Sequence, residues 1–135
     1  MLRLTKKTEY GIIAMKYLIT RNATSPESVV SRSEIAERFH IPKELLGKVL
    51  QKLGRKDLIR SYQGVSGGYV LSKDPDDISL YEVVEAIEGP IAMVECYMDD
   101  GAECTQLDYC NIQSPILSIR RNLTEYFESI TLADL

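Results

Sequence analysis

Residues 31–73 constrain this chain most, because their order of signals suits very few folds. Ser31 followed by Glu34 is a capping-box pattern, so a helix over Arg32–Phe39 is expected. A four-residue break, 39–42, ends on Pro42, whose missing N–H costs nothing at the start of a new helix. From about Lys43 to Lys56 a helical period gathers Leu45, Leu46, Val49, Leu50 and Leu53 on one face. Glu44, Lys48, Gln51 and Arg55 gather opposite, flanked by Gly47 and Lys52, with Gly47 removing a side chain where a close approach is needed. Two short β-type runs follow, 58–62 and 69–73, separated by a tip that holds Gly64, Gly67 and Gly68. A helix-turn-helix followed directly by a hairpin is the winged-helix order, in which the second helix of the pair enters a major groove. A plain surface hairpin is the blander reading of the glycines.

The flanking segments complete a mainly α fold with a small β wing. Tyr10, Ile13, Ala14, Tyr17 and Leu18 give an amphipathic first helix from about Lys6 to Asn22, and residues 23–30, polar and with Pro26, read as a loop. Ser79 and Glu82 form a second capping box, opening a helix through Glu88 that Gly89 and Pro90 end. Residues 91–113 show no sustained period. Ser114 and Pro115 are expected to cap a last long helix, Ile116–Ile130, with Ile116, Ile119, Leu123, Tyr126, Phe127 and Ile130 as its apolar stripe. That stripe needs a partner, either a second copy of the chain or the first helix of the same copy. The expected organisation is a winged helix-turn-helix domain, 1–73, and a second region, 74–135, ending in a dimerisation helix.

Charge divides at the same place. Residues 1–73 carry 14 Lys+Arg against 6 Asp+Glu, and residues 74–135 carry 2 against 14, so +8 and −12 underlie the net −4 of the 135-residue chain. Such asymmetry points to a basic element that meets a polyanion beside an acidic element with another task, against a background of ordinary solvated surface. The apolar stretch 11–19 is interrupted in its context by Glu9 and Lys16 and no small-residue cleavage site follows, so no signal peptide or membrane span is expected and the chain reads as cytoplasmic.

All three cysteines, Cys96, Cys104 and Cys110, lie in the acidic region. An odd count argues against a disulfide framework, and structural zinc wants four ligands, usually with a close cysteine pair. Three thiolates in a segment rich in Glu95, Asp99, Asp100, Glu103 and Asp108 suit a soft-metal or iron–sulfur site, although three unrelated buried cysteines would give the same spacing. His40, the one histidine, stands in the helix-turn-helix turn, where it reads as a residue tolerating positive φ or as a phosphate contact. No nucleophile–base pairing is visible, so catalysis is not expected.

Taken together, Arg3-Leu-Thr5 with Tyr10, Leu58-Ile59, the 64–69 wing, residues 78–87 and the closing 130–135 segment resemble the Rrf2 family of winged-helix regulators, and the three cysteines resemble its iron–sulfur IscR/NsrR branch. The resemblance implies a homodimer with long C-terminal helices crossed between subunits, two heads on a pseudo-palindromic double-stranded DNA operator, and a 2Fe-2S or 4Fe-4S cluster on Cys96, Cys104 and Cys110. The histidine that the IscR branch carries three residues after its last cysteine is here Gln113, a poor iron ligand. The aspartate that the nitrosative-stress branch supplies from the partner's first helix corresponds to Glu9, expected as the fourth ligand from the opposite chain, with Asp108 as the local rival and a solvated helix-start acid as the plain alternative. The family's arginine before the wing glycine is here Gln63, leaving minor-groove reading to Arg60.

These readings predict a repressor whose operator affinity follows an iron–sulfur cluster that senses redox state, nitric oxide or iron supply. Lys43, Lys48, Lys52, Arg55 and Arg60 would meet phosphates, while Glu44, Lys48 and Gln51 face base edges. Two other readings stand beside it: a cluster-free thiol-redox regulator, and a protein whose acidic half docks on a sulfur-metabolism enzyme.

Overall fold

The leucine stripe of the third helix decides where the core lies. In a computed structural model, which describes residues 2–93, 106 and 109–135, Leu46, Val49, Leu50 and Leu53 are buried on α3 (Lys43–Arg55). They join Ala14, Met15 and Leu18 of α1 (Lys6–Thr20), Ile35 of α2 (Arg32–Phe39), and Val83 and Ile87 of α4 (Leu80–Glu88) in one hydrophobic cluster. Each fully buried leucine contributes roughly 1.5–3 kcal/mol by leaving water. Leu45, at the margin of the stripe, is only half-buried.

Local signals set the element ends. Ser31 caps α2 by accepting from the Glu34 N–H at 3.1 Å, but the Glu34 carboxylate does not complete the expected box. It accepts instead from the Tyr17 hydroxyl at 2.6 Å and pairs with Arg21, so it ties α1 to α2. His40 ends α2 in the left-handed region, φ 54° and ψ 45°, with its N–H on the Ala36 carbonyl. The Ser79 and Glu82 box at α4 is complete, with bonds of 3.1 and 2.8 Å, and Gly89 at φ 84° ends that helix.

Strands β1 (Ile59–Tyr62) and β2 (Gly68–Leu71) pair antiparallel, Ile59 opposite Leu71 and Tyr62 opposite Gly68. The 23–30 segment is more than a polar loop. Its Ala23 and Val30 are buried, Val30 and Tyr69 exchange backbone hydrogen bonds of 3.1 and 2.8 Å, and Leu71 donates to the Ala23 carbonyl at 2.8 Å. A Cβ on Gly68 would lie 2.6 Å from the Val30 carbonyl oxygen, so glycine is what lets the wing dock on this segment. At the wing tip Gly64 adopts φ +109° and Val65 is fully exposed.

The charge boundary at Lys73 is not a boundary in packing, because α4 lies against both α1 and α3 within the same core. Helix α5 (Gln113–Ser129) begins three residues before the expected Ile116, and Ser114 makes no cap bond; Pro115 falls in the first turn, where a missing N–H loses no helical partner. Its principal neighbour is α4, not α1 as the same-copy alternative had it. No residue of α5 is buried. Ile116, Leu123 and Phe127 are half-buried, whereas Ile119 and Tyr126 are 48% and 60% exposed. The chain then turns back. Leu132 is buried, its N–H donates to the Ile78 carbonyl at 2.9 Å, and Leu80 donates to Ile130 at 2.8 Å.

Candidate functional site

Because the leucines of α3 face inward, its polar face is forced outward beside the wing. Glu44, Gly47, Lys48, Gln51 and Arg55 of α3 and Arg60, Ser61 and Gln63 of the hairpin line one open groove of about 1120 Å³. The groove holds the cations Arg32, Lys48, Arg55, Arg60 and Lys73 against Glu44 and Asp57. A cationic trough floored by an exposed helix and walled by a hairpin matches the sign and shape of duplex DNA.

Two of the residues assigned to phosphates lie apart from it. Lys43 is exposed at the start of α3 but does not line the groove. Lys52 is half-buried and turned toward α4, where its ammonium donates to the Ile87 carbonyl at 3.1 Å and so satisfies a free C-terminal carbonyl. Sequence reasoning missed Arg32, which reaches across from α2 to lie over Gly47. The signal was present in the bare Gly47 on a polar helix face, but its occupant belongs to another helix.

The second half of the site centres on the end of α4. Thr8 of α1 is fully buried, and its hydroxyl donates to the Glu88 carboxylate at 3.1 Å; the Thr5 hydroxyl donates to the same oxygen. A carboxylate thereby faces the positive N-terminus of α1. Glu9 follows Thr8, half-buried and paired with the exposed Lys6 at 2.9 Å, a contact that raises the Lys6 ammonium pKa. Surface pairs of this kind are screened by solvent and weak, so Glu9 can be drawn away cheaply. Cys110 is a free, half-buried thiol shortly before α5, and Gln113 is exposed in that helix's first turn. Cys96, Cys104 and Asp108 lie outside the described residues. Among the described residues no three His, Cys, Asp or Glu side chains converge on a metal position within one copy. The chemistry of the donor set still fits an iron–sulfur group: a free thiol at Cys110 with two further cysteines nearby in sequence, and a releasable carboxylate at Glu9.

Electrostatics elsewhere are structural. Burial opposes ionisation of Glu82, but the Ser79 N–H and the Lys73 ammonium outweigh it and lower its pKa. Its hydrogen bond to Glu85, with burial and the nearby Glu128, pushes the Tyr81 phenol up to about 12. Among the described residues, no helix is long and apolar enough to cross a membrane.

A helix-turn-helix whose second helix shares a cationic groove with a hairpin defines a DNA-binding transcriptional regulator. The chain belongs to the Rrf2 family: the family model for iron-dependent transcriptional regulators matches residues 4–135. It is 30% identical to the HTH-type transcriptional regulator NsrR of Geobacillus kaustophilus over 134 residues, covering 99% of this chain and 89% of that protein. It is also 30% identical to the regulator IscR of Klebsiella pneumoniae, covering 99% and 79%. Among solved structures it is similar to CymR, the global cysteine regulator of B. subtilis, with a TM-score of 0.74 at 29% identity, covering 99% and 95% of the two chains. The T. potens IscR structure gives a TM-score of 0.70 at 26% identity, covering 98% and 85%.

Proposed function

We propose that this chain is a homodimeric repressor that places two heads on a pseudo-palindromic operator and is governed by an iron–sulfur cluster, 2Fe-2S or 4Fe-4S, held by Cys96, Cys104 and Cys110 with Glu9 from the partner subunit. Lys48, Arg55 and Arg60 meet phosphates, Glu44 and Gln51 read base edges, and Gln63 stands where the wing approaches the minor groove. When bound, the cluster supplies a link that redox change, nitric oxide or iron shortage can break.

One observation carries the regulatory part. The last turn of α4 holds both ends of the system: Glu88 is bonded by Thr5 and Thr8 at the start of α1, beside Glu9, and the Ile87 carbonyl is bonded by Lys52 of the reading helix. The chain runs from that turn toward the cysteines. A shift where Glu9 is drawn out is therefore passed through α4 to α3. Couplings of this kind are typically about 1–3 kcal/mol, or 5–150-fold in affinity.

Anaerobic purification with iron and acid-labile sulfide analysis tests this reading on native protein and on Glu9→Ala. Stoichiometric iron and sulfide in the native protein, with a faster-decaying cluster in the variant, is expected. Absence of both from the native protein would overturn the cluster, and an equally stable cluster in the variant would discard Glu9 as ligand. The similarity to a global cysteine regulator favours a second reading, a cluster-free thiol regulator, which predicts no iron and a reversible disulfide among the three cysteines.

A further inference from the structure

The geometry points to Arg32, on the first helix of the helix-turn-helix, as a DNA phosphate contact held over the reading helix by the missing side chain of Gly47. Arg32 is the first residue of α2, where a cation meets the positive end of a helix and gains nothing from it. It is exposed, and among the described residues its guanidinium has no hydrogen-bond or ion-pair partner. It nevertheless lies across α3. A Cβ built on Gly47 would meet the Arg32 Nη1 at 2.5 Å, its Cδ at 3.4 Å and its Cζ at 3.5 Å. The arginine thus occupies the space that a side chain on the reading helix would fill, and it lines the same groove as Lys48, Gln51 and Arg55. An unpaired cation at a disfavoured helix position, aimed into a trough built for a polyanion, gains most when a phosphate arrives.

Gly47 makes the idea separable from folding. Alanine is the better helix former, and the atom it would strike is the end of a flexible side chain, so Gly47→Ala moves Arg32 while leaving the core as it is. The proposal rests on the groove being the DNA-reading surface, which Lys48→Ala tests on its own.

The probes are a mixed-sequence duplex and a duplex enriched by the native protein from a randomised pool. Arg32→Ala is expected to weaken both about tenfold and to lower the slope of log affinity against log salt by about 0.9 for each bound head. Gly47→Ala should do the same, and the Arg32→Ala/Gly47→Ala double variant should be no weaker than either alone. If Lys48→Ala loses affinity while Arg32→Ala keeps both affinity and slope, the proposal is overturned and the reading surface stands. If neither variant changes binding, the surface itself fails and the proposal with it. A double variant whose losses add would show that Gly47 does not hold Arg32 in place.

Discussion

The reading helix α3 and the terminal helix α5 are close in length and unlike in support. Four residues of α3 are buried in a core shared with α1, α2 and α4, so its polar face is set before any ligand arrives. Helix α5 buries none, and its Ile119 and Tyr126 stand open to solvent while Ile116, Leu123 and Phe127 are half-covered. An amphipathic helix gains most of its stability from covering its apolar face. The contrast teaches that the head is positioned by its own fold, whereas α5 is only half-covered within one copy, which leaves its open face to the second copy of the proposed homodimer.

The harshest way to break that contrast is a cavity in the head. Leu50→Ala should cost about 2–5 kcal/mol of stability, read by denaturant unfolding, and should abolish DNA binding with it. The matching change on α5, Ile119→Asp, should leave the stability of the isolated copy within about 0.5 kcal/mol. It should weaken the dimer about thirtyfold, the equivalent of roughly 2 kcal/mol at an interface centre, measured by sedimentation over a concentration series. A loss of monomer stability comparable with Leu50→Ala would mean that α5 is held within one copy after all.

Smaller effects sharpen the role of α4 between the two regions. Ser79→Ala removes a cap bond and should cost about 1 kcal/mol, with α4 fraying first in hydrogen exchange. Glu82 has a lowered pKa, so its bonds to Ser79 and Lys73 stabilise the fold above the ordinary carboxylate range and are lost as pH falls through its lower folded value. Because the side chain is partly exposed and screened, that contribution is below about 1 kcal/mol. Glu82→Gln should lower stability near neutrality by that amount and change little in acid, so that the acid limb of the stability–pH curve flattens.

Much of the head was legible in the sequence because its cues are local. The leucine period of α3, Pro42 before it, the Ser79–Glu82 box and the wing glycines each act within a few residues, and the structure has α2 over the expected Arg32–Phe39. What escaped depends on segments that meet only after folding. Val30 pairs with Tyr69 across the sequence, Lys52 turns from phosphate duty to the Ile87 carbonyl, and Arg32 enters the groove from a neighbouring helix. Periodicity tells which way a side chain leaves its own helix, not where a long flexible one ends. The start of α5 was misplaced for a related reason: Ser114-Pro115 is a strong cap pattern, yet Pro115 is equally at home inside the first turn. Of the expected cluster ligands, only Glu9 and Cys110 lie among the described residues, and the ligand set itself rests on the proposed function.

The central claim is that the cysteines and the reading helix are energetically coupled. It is tested most directly by operator affinity measured anaerobically for cluster-loaded and cluster-free native protein and for Cys104→Ala, at one fixed salt concentration. The account predicts a 5–150-fold difference between the two native forms, with Cys104→Ala matching the cluster-free form. Equal affinity for all three would contradict it.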